Sequence, residues 1–245
     1  GRHNDRVVTE ENVVLRNTDV EAVLWDENGD SIYFGRGLIC DKKDTRLRAL
    51  VDAPEWSAML PQLAHESSGM QIDAIARIGR IGTDNYVLVF ASGSLLAYQR
   101  NATGAYVSNV VTSVPFSDII NWPKHWTSVN GVSAYVHSDG SDRMHVFSGD
   151  EYILVQRVSQ PHGEAWLSSP LRRVSATTTE SYPRSMTVWA DADDKIPAAM
   201  DDGHGVIAAR RVRNSYLNFY NRDGRIYGRD SGTKVYTVSN FDVCK

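Results

Sequence analysis

Four stretches of this chain share one residue order, and a repeat of that length restricts the available architectures more than any other feature. Each runs from an apolar residue through a variable residue to Ala, crosses a turn and enters a strand carrying Phe. Each then turns at small residues and continues into another aromatic or aliphatic strand. The four are "VEAVLWDENGDSIYFGRGLI" from Val20, "IDAIARIGRIGTDNYVLVFASGSLLAYQ" from Ile72, "VSAYVHSDGSDRMHVFSGDEYILVQ" from Val132 and "IAARRVRNSYLNFYNRDGRIYGR" from Ile207. Their Phe residues stand at 34, 90, 147 and 219, which sets the intervals at 56, 57 and 72 residues.

Apolar stripes of period 3.6 are scarce, whereas short runs of Val, Ile, Tyr and Phe bounded by Gly, Asn and Asp recur throughout. The chain is therefore expected to be all-β, with strands at 20–25, 31–35, 72–78, 85–91, 94–100, 132–137, 143–148, 152–158, 186–190, 206–212, 216–221, 225–229 and 234–238. Asn28-Gly29 and Asp223-Gly224 predict two-residue hairpins, and Asp139-Gly140 a somewhat longer loop. Strands this short suit a sandwich, a barrel or a propeller, and the internal repetition favours the last. Segments containing Pro and Trp precede the second and third copies, at 53–63 and 114–126, each long enough for one or two helical turns. The polar residues 1–19 are expected to form a loosely held arm, and residues 20–245 a single domain. The stretch from 159 to 205 breaks the period and is expected to be an insertion.

This order resembles the hemopexin-like repeat, in which an Asp-Ala strand pairs with one ending Tyr-x-Phe-x-Gly after a Pro-containing helical turn. The third copy is nearest, keeping Ala134, the Phe147-Ser148-Gly149-Asp150 turn and Tyr152. The second keeps Ile72-Asp73-Ala74, Phe90 and Gly93; the first and fourth are more degenerate. The resemblance implies a four-bladed β-propeller over residues 20 to 244, with the Ala strands innermost around a channel. It also implies that backbone carbonyls of the residue before each Ala, here Glu21, Asp73, Ser133 and Ala208, hold a cation. Carbonyl oxygens are hard donors suited to Ca²⁺ or Na⁺. The alternative is that these residues only line a dry or water-filled channel. In the family a disulfide joins the start of blade one to the end of blade four. Cys244 suits the second position, but Cys40 follows the first Phe strand instead of preceding the first Ala strand.

Independently of that resemblance, Cys40 and Cys244 lie far apart in a chain with two cysteines. One disulfide between them would close a very long loop, worth roughly 4–5 kcal/mol in a chain-entropy account; two separate buried thiols are the alternative. Asn101-Ala102-Thr103 is an N-glycosylation sequon in a Gly-containing turn. With the paired cysteines and a start at Gly1 without Met, it leads us to expect a secreted protein.

Lys and Arg number 26 against 30 Asp and Glu, a net charge of −4 that argues against nucleic acid or an anionic membrane as the main partner. No apolar run is long enough to span a bilayer. No zinc, P-loop, dinucleotide-binding or nucleophile-elbow motif occurs. His125 and His162 are candidate ligands for haem or a metal, although surface or packing roles are commoner for such histidines. Asp191 and Asp193 in "DADD" form an acidic stretch that would suit Ca²⁺ or a polyamine, with a solvated loop as the alternative. Arg210, Arg211 and Arg213, joined by Arg172 and Arg173, make the main basic cluster; strand alternation puts Arg211 and Arg213 on one face and Arg210 on the other. Trp122 and Trp126 would stack along a short helix and offer faces to a sugar, or else pack between blades.

These features lead us to expect a secreted, non-enzymatic binding module for an extracellular protein, a glycan or a small cationic ligand. A lectin or the receptor-binding subunit of a toxin is the second reading, and an all-β hydrolase with dispersed carboxylates such as Asp191 or Asp201 the third. Oligomeric state is left open.

Overall fold

The structure, a computed structural model, describes residues 14–26, 28–59, 64–65, 69–70, 72–78, 86–99, 110–136, 142–160, 163–168, 171–173, 179–186, 205–213, 216–230, 232–233 and 235–244. The first antiparallel meander comprises β1 (Ala22–Trp25), β2 (Ser31–Gly35), β3 (Leu38–Asp41) and β4 (Arg46–Ala49). A small hairpin, β5 (Ala64–His65) with β6 (Gly69–Met70), precedes the second meander. That meander is β7 (Ala74–Ile78), β8 (Tyr86–Ala91), β9 (Ser94–Gln99) and β10 (Val110–Pro115). The third is β11 (Gly131–Val136), β12 (Asp142–Ser148), β13 (Glu151–Gln160) and β14 (Gly163–Ser168). After it come the hairpin β15 (Leu171–Arg173) with β16 (Thr179–Ser181), and β17 (Arg184–Ser185), which pairs with β13. The fourth meander is β18 (Val206–Arg213), β19 (Tyr216–Asn221), β20 (Arg225–Asp230) and β21 (Val235–Asn240).

The first strands β1, β7, β11 and β18 neighbour one another in a closed cycle, so the four meanders stand as blades around one axis. The all-β propeller expectation is met. The sandwich alternative is not, since the four meanders pack in a cycle and not as one facing pair of sheets. Among the described residues no helix is long and apolar enough to cross a membrane.

Strand alternation sends one face of each blade toward the next blade and the other toward the preceding one, and four hydrophobic clusters fill the gaps. Phe34 packs into the gap between blades one and two, Phe90 between two and three, and Phe147 between three and four. In the gap between four and one the corresponding residue is Tyr220, beside Tyr33, Ile207 and Phe241. Phe219 faces the opposite way, toward blade three. The fourth copy of the repeat is thus read one residue out of place when Phe219 is aligned with the other Phe residues. A bulge between Val206 and Ala208 absorbs the extra residue in β18.

The Pro-Trp segments are 3-10 turns wedged between blades: Pro54–Met59 sets Trp56 edge-on to Phe34 at 5.2 Å, and Phe116–Asp118 begins the path to Trp122 and Trp126. The ring closes covalently. Cys40 of β3 and Cys244, just beyond β21, form a disulfide with their α-carbons 5.6 Å apart.

Several expectations need correction. Leu15 is buried in the gap between blades four and one, and residues 17–19 form a 3-10 turn, so 14–19 are docked and not a loose arm. A side chain aliphatic on all sides has no reason to remain in water when a seam is open to it. The stretch after 159 begins as the outer edge of blade three, because β13 runs on to Gln160 and pairs with β14. The hairpins at Asn28-Gly29 and Asp223-Gly224 are longer than two residues: the flanking pairs are Trp25 with Ser31 and Tyr220 with Ile226. In both, an Asp side chain binds loop amides and widens the turn, Asp26 taking Asn28 and Asp30 and Asp223 taking Arg225. The 139–140 loop and residues 187–190 lie outside the described residues.

Candidate functional site

Three of the four inner strands are preceded by a polar side chain with the same task. The carboxylate of Glu21 accepts the amide of Arg36, that of Asp73 accepts the amide of Ser92, and the Oδ1 of Asn130 accepts the amide of Gly149 at 2.8 Å. In every case the donor lies two residues beyond Phe34, Phe90 or Phe147, in the left-handed region, at φ 53°, 51° and 60°. The strand-two to strand-three turns therefore owe their geometry to the first strand of the same blade. The backbone repeats the pattern, with the amides of Glu21, Asp73 and Asn130 donating to the carbonyls of those three Phe residues.

This register decides which residues share a level of the channel. Ala22 pairs with Phe34, Ala74 with Phe90, Gly131 with Phe147 and Ala208 with Tyr220. Asn130, not Ser133, is the counterpart of Glu21 and Asp73. Ser133 pairs with His145, deeper along the channel. Ala208 is level with Ala22 and not with Glu21. The expected ring of carbonyls at Glu21, Asp73, Ser133 and Ala208 is therefore not one ring, because Gly131 replaces Ala as the small residue of the third copy.

The two ends of the channel differ in charge. At the end where the inner strands begin, burial pushes the carboxyls of Glu21 and Asp73 above their usual range, opposed by the Arg222 guanidinium; Asp73 raises Glu21 further. Toward the other end, all four inner strands line a cavity of about 440 Å³. Its wall carries Arg77 of β7, Arg210 and Arg211 of β18, the Trp25 and Tyr135 rings, and Asp26.

Both half-buried guanidiniums there hold backbone oxygens. Arg77 donates to the carbonyls of Trp25 and Asp26, each at 3.4 Å, and Arg210 donates to that of Gly29 at 3.0 Å. Arg210 also lies 5.3 Å from the centre of the Trp25 ring. Gly29, at φ +83°, leaves the room: a Cβ there would stand 2.7 Å from the Arg210 guanidinium. The Asp26 carboxylate turns into its own loop toward the amides of Asn28 and Asp30, at 2.8 and 2.9 Å.

Other sequence candidates fall elsewhere. Trp126 is 4% exposed in the core between blades two and three, its indole N–H 3.2 Å from Glu151 Oε1. Trp122 stacks on Phe116 at 4.7 Å and donates to the Trp126 carbonyl. Burial closes the Trp126 ring to a sugar, which corrects its reading as ligand-binding, whereas Trp122 is half-buried with one face covered by Phe116. His125 lies 2.8 Å from Glu151 in an exposed pair on the same connection. Asn101, His162, Asp191, Asp193 and Asp201 lie outside the described residues. Among the described residues no three His, Cys, Asp or Glu cluster as metal ligands.

Arg77 escaped the sequence reading, although a signal was there. Counting three residues on from the small residue of each copy gives Trp25, Arg77, Ala134 and Arg211, one per blade and all on the cavity wall.

No protein-family model and no curated protein matches the sequence. Solved structures share the fold. A hemopexin fold protein, CP4, from cow pea superposes with a TM-score of 0.55 at 12% identity, over 92% of this chain and 93% of that one. A 2S albumin seed protein from Dolichos gives a TM-score of 0.54 at 12% identity, over 91% and 92%. At such identity the likeness is one of fold.

Proposed function

We propose that this chain is a non-enzymatic binding module and that it takes a small ligand in the central channel. The cavity lined by all four inner strands carries the reading. Concave sites with a few fixed polar groups among apolar walls are where proteins hold small molecules, and propeller closure pre-forms this one. The disulfide supports assigning the protein to an oxidising, extracellular setting. An extracellular protein as partner would then meet the rim of the channel.

A cation is the second reading, at the opposite end. The charge of Asp73 acts on Glu21, and Ca²⁺ or Na⁺ between the two would relieve that repulsion. A rise in melting temperature on adding CaCl₂, lost in Asp73→Asn, would support it.

The main reading is tested by screening a mixed panel of neutral, cationic and anionic small molecules by ligand-observed NMR. Hits should disappear in Ala134→Trp, which fills the cavity, provided that variant keeps its β-sheet circular dichroism. Hits that persist in Ala134→Trp would place binding outside the channel and end this reading.

A further inference from the structure

We propose that the cavity at the Arg77 and Arg210 end of the channel selects a small organic anion, one with a carboxylate or phosphate head on a compact apolar or aromatic body. The proposal rests on the channel being the binding site and adds the class of ligand.

The overall charge of −4 would not suggest an anion site, so the local arrangement has to overcome it. It does so in three ways. Arg77, Arg210 and Arg211 converge from two blades on one cavity where, among the described residues, Asp26 is the one carboxylate on the wall, and that carboxylate is turned toward amides of its own loop. Among the described residues neither Arg77 nor Arg210 pairs with a carboxylate; both donate to neutral carbonyls, which leaves their charge uncompensated. Finally, Arg210 is held in advance of any ligand by the Gly29 carbonyl, the Trp25 face and the missing Cβ of Gly29. A guanidinium fixed in place loses little freedom when an oxyanion arrives, and its planar fork fits carboxylate or phosphate oxygens. Low-dielectric walls concentrate the field. The volume of about 440 Å³ leaves room for a body beyond the head group, and Trp25 and Tyr135 supply flat apolar surface for it.

The whole chain is titrated calorimetrically with phenyl phosphate, benzyl alcohol and spermine. Phenyl phosphate should bind saturably, more weakly as salt is raised, and benzyl alcohol should not bind measurably. Arg210→Gln should weaken phenyl phosphate about tenfold or more through loss of a charge-assisted hydrogen bond. Arg36→Gln, on the exposed turn of blade one, should leave it unchanged. Because Arg210→Gln also removes a contact to the β1–β2 loop, the unmodified protein supplies a second measurement. Phenyl phosphate should protect Arg77 and Arg210 from phenylglyoxal, read peptide by peptide by mass spectrometry. No saturable binding of phenyl phosphate, or protection confined to other arginines, would overturn the proposal. Spermine binding in the channel without phenyl phosphate binding would overturn the anion class while leaving the binding module intact.

Discussion

Gly131 of the third blade lies against the backbone of the fourth: a Cβ on it would stand 2.3 Å from the carbonyl oxygen of Val206 and 2.5 Å from the carbonyl carbon of Ile207. This contact lets β11 and β18 run side by side, with Val132 opposite Ala208 in a parallel pair. Backbone cannot yield as a flexible side chain can. Gly131→Ala should therefore cost about 3 kcal/mol or more in urea denaturation. Gly149→Ala, where nothing stands within 4 Å and only φ +60° opposes the substitution, should cost about 1–2 kcal/mol.

The Cys40–Cys244 disulfide joins positions 204 residues apart and ties blade one to the chain end beyond blade four. The double variant Cys40→Ser with Cys244→Ser should lose roughly 4–5 kcal/mol of stability by the loop-entropy account. Guanidinium denaturation with and without reductant should show the same loss in the parent protein and none in the variant.

Glu21 and Asp73 are buried enough to have raised pKa values, with Arg222 opposing. A carboxyl with a raised folded pKa binds its proton more tightly in the native state. Its contribution to stability is complete below the unfolded value, ordinarily 3.8 for Asp and 4.5 for Glu, and is lost as pH rises through the folded value. Replacing Glu21 by Gln and Asp73 by Asn keeps an acceptor for the Arg36 and Ser92 amides but removes the charges. The double variant should melt at a higher temperature than the parent at pH 7, and the difference should vanish below 3.8. Asp73→Ala, which also removes the acceptor, should instead lower the melting temperature.

Tyr98 is fully buried between blades one and two, and among the described residues its hydroxyl meets no hydrogen-bond partner. Burial pushes its pKa up to about 12. Tyr98→Phe should stabilise the protein by about 1 kcal/mol near neutral pH, since a buried unpaired hydroxyl is removed. The advantage should grow as pH rises above 10, where the unfolded phenol ionises and the folded one does not. Thermal melts at neutral and alkaline pH would show both effects.

Trp126 fills core space and binds Glu151, so Trp126→Ala should cost about 3–5 kcal/mol. Chemical denaturation measures it.

First and second strands were legible because blades are buried on both sides near the axis, and continuous runs such as "YVLVF" record that burial. Of the outermost strands β21 was legible at 234–238, but β4, β10 and β14 were not: "RLRA" sets charged residues into β4, and β14 falls in the stretch that breaks the repeat. The disulfide partners were visible as a pair of widely separated cysteines. Trp122 and Trp126 were visible as a pair too, but periodicity reports spacing and not which surface covers a ring.

Alternation, turn residues and the recurring small residue before each Phe strand are local properties, so residue order alone makes the chain all-β and repeated. Tertiary structure alone decided the registers: that Tyr220 and not Phe219 completes the set of Phe34, Phe90 and Phe147, and that Asn130 and not Ser133 stands level with Glu21 and Asp73. One bulge or one glycine shifts a strand by a residue and turns every side chain to the other face. It also decided the site. Arg77 and Arg210 are 133 positions apart, and only closure of the propeller brings both guanidiniums to the loop of blade one and to a shared cavity.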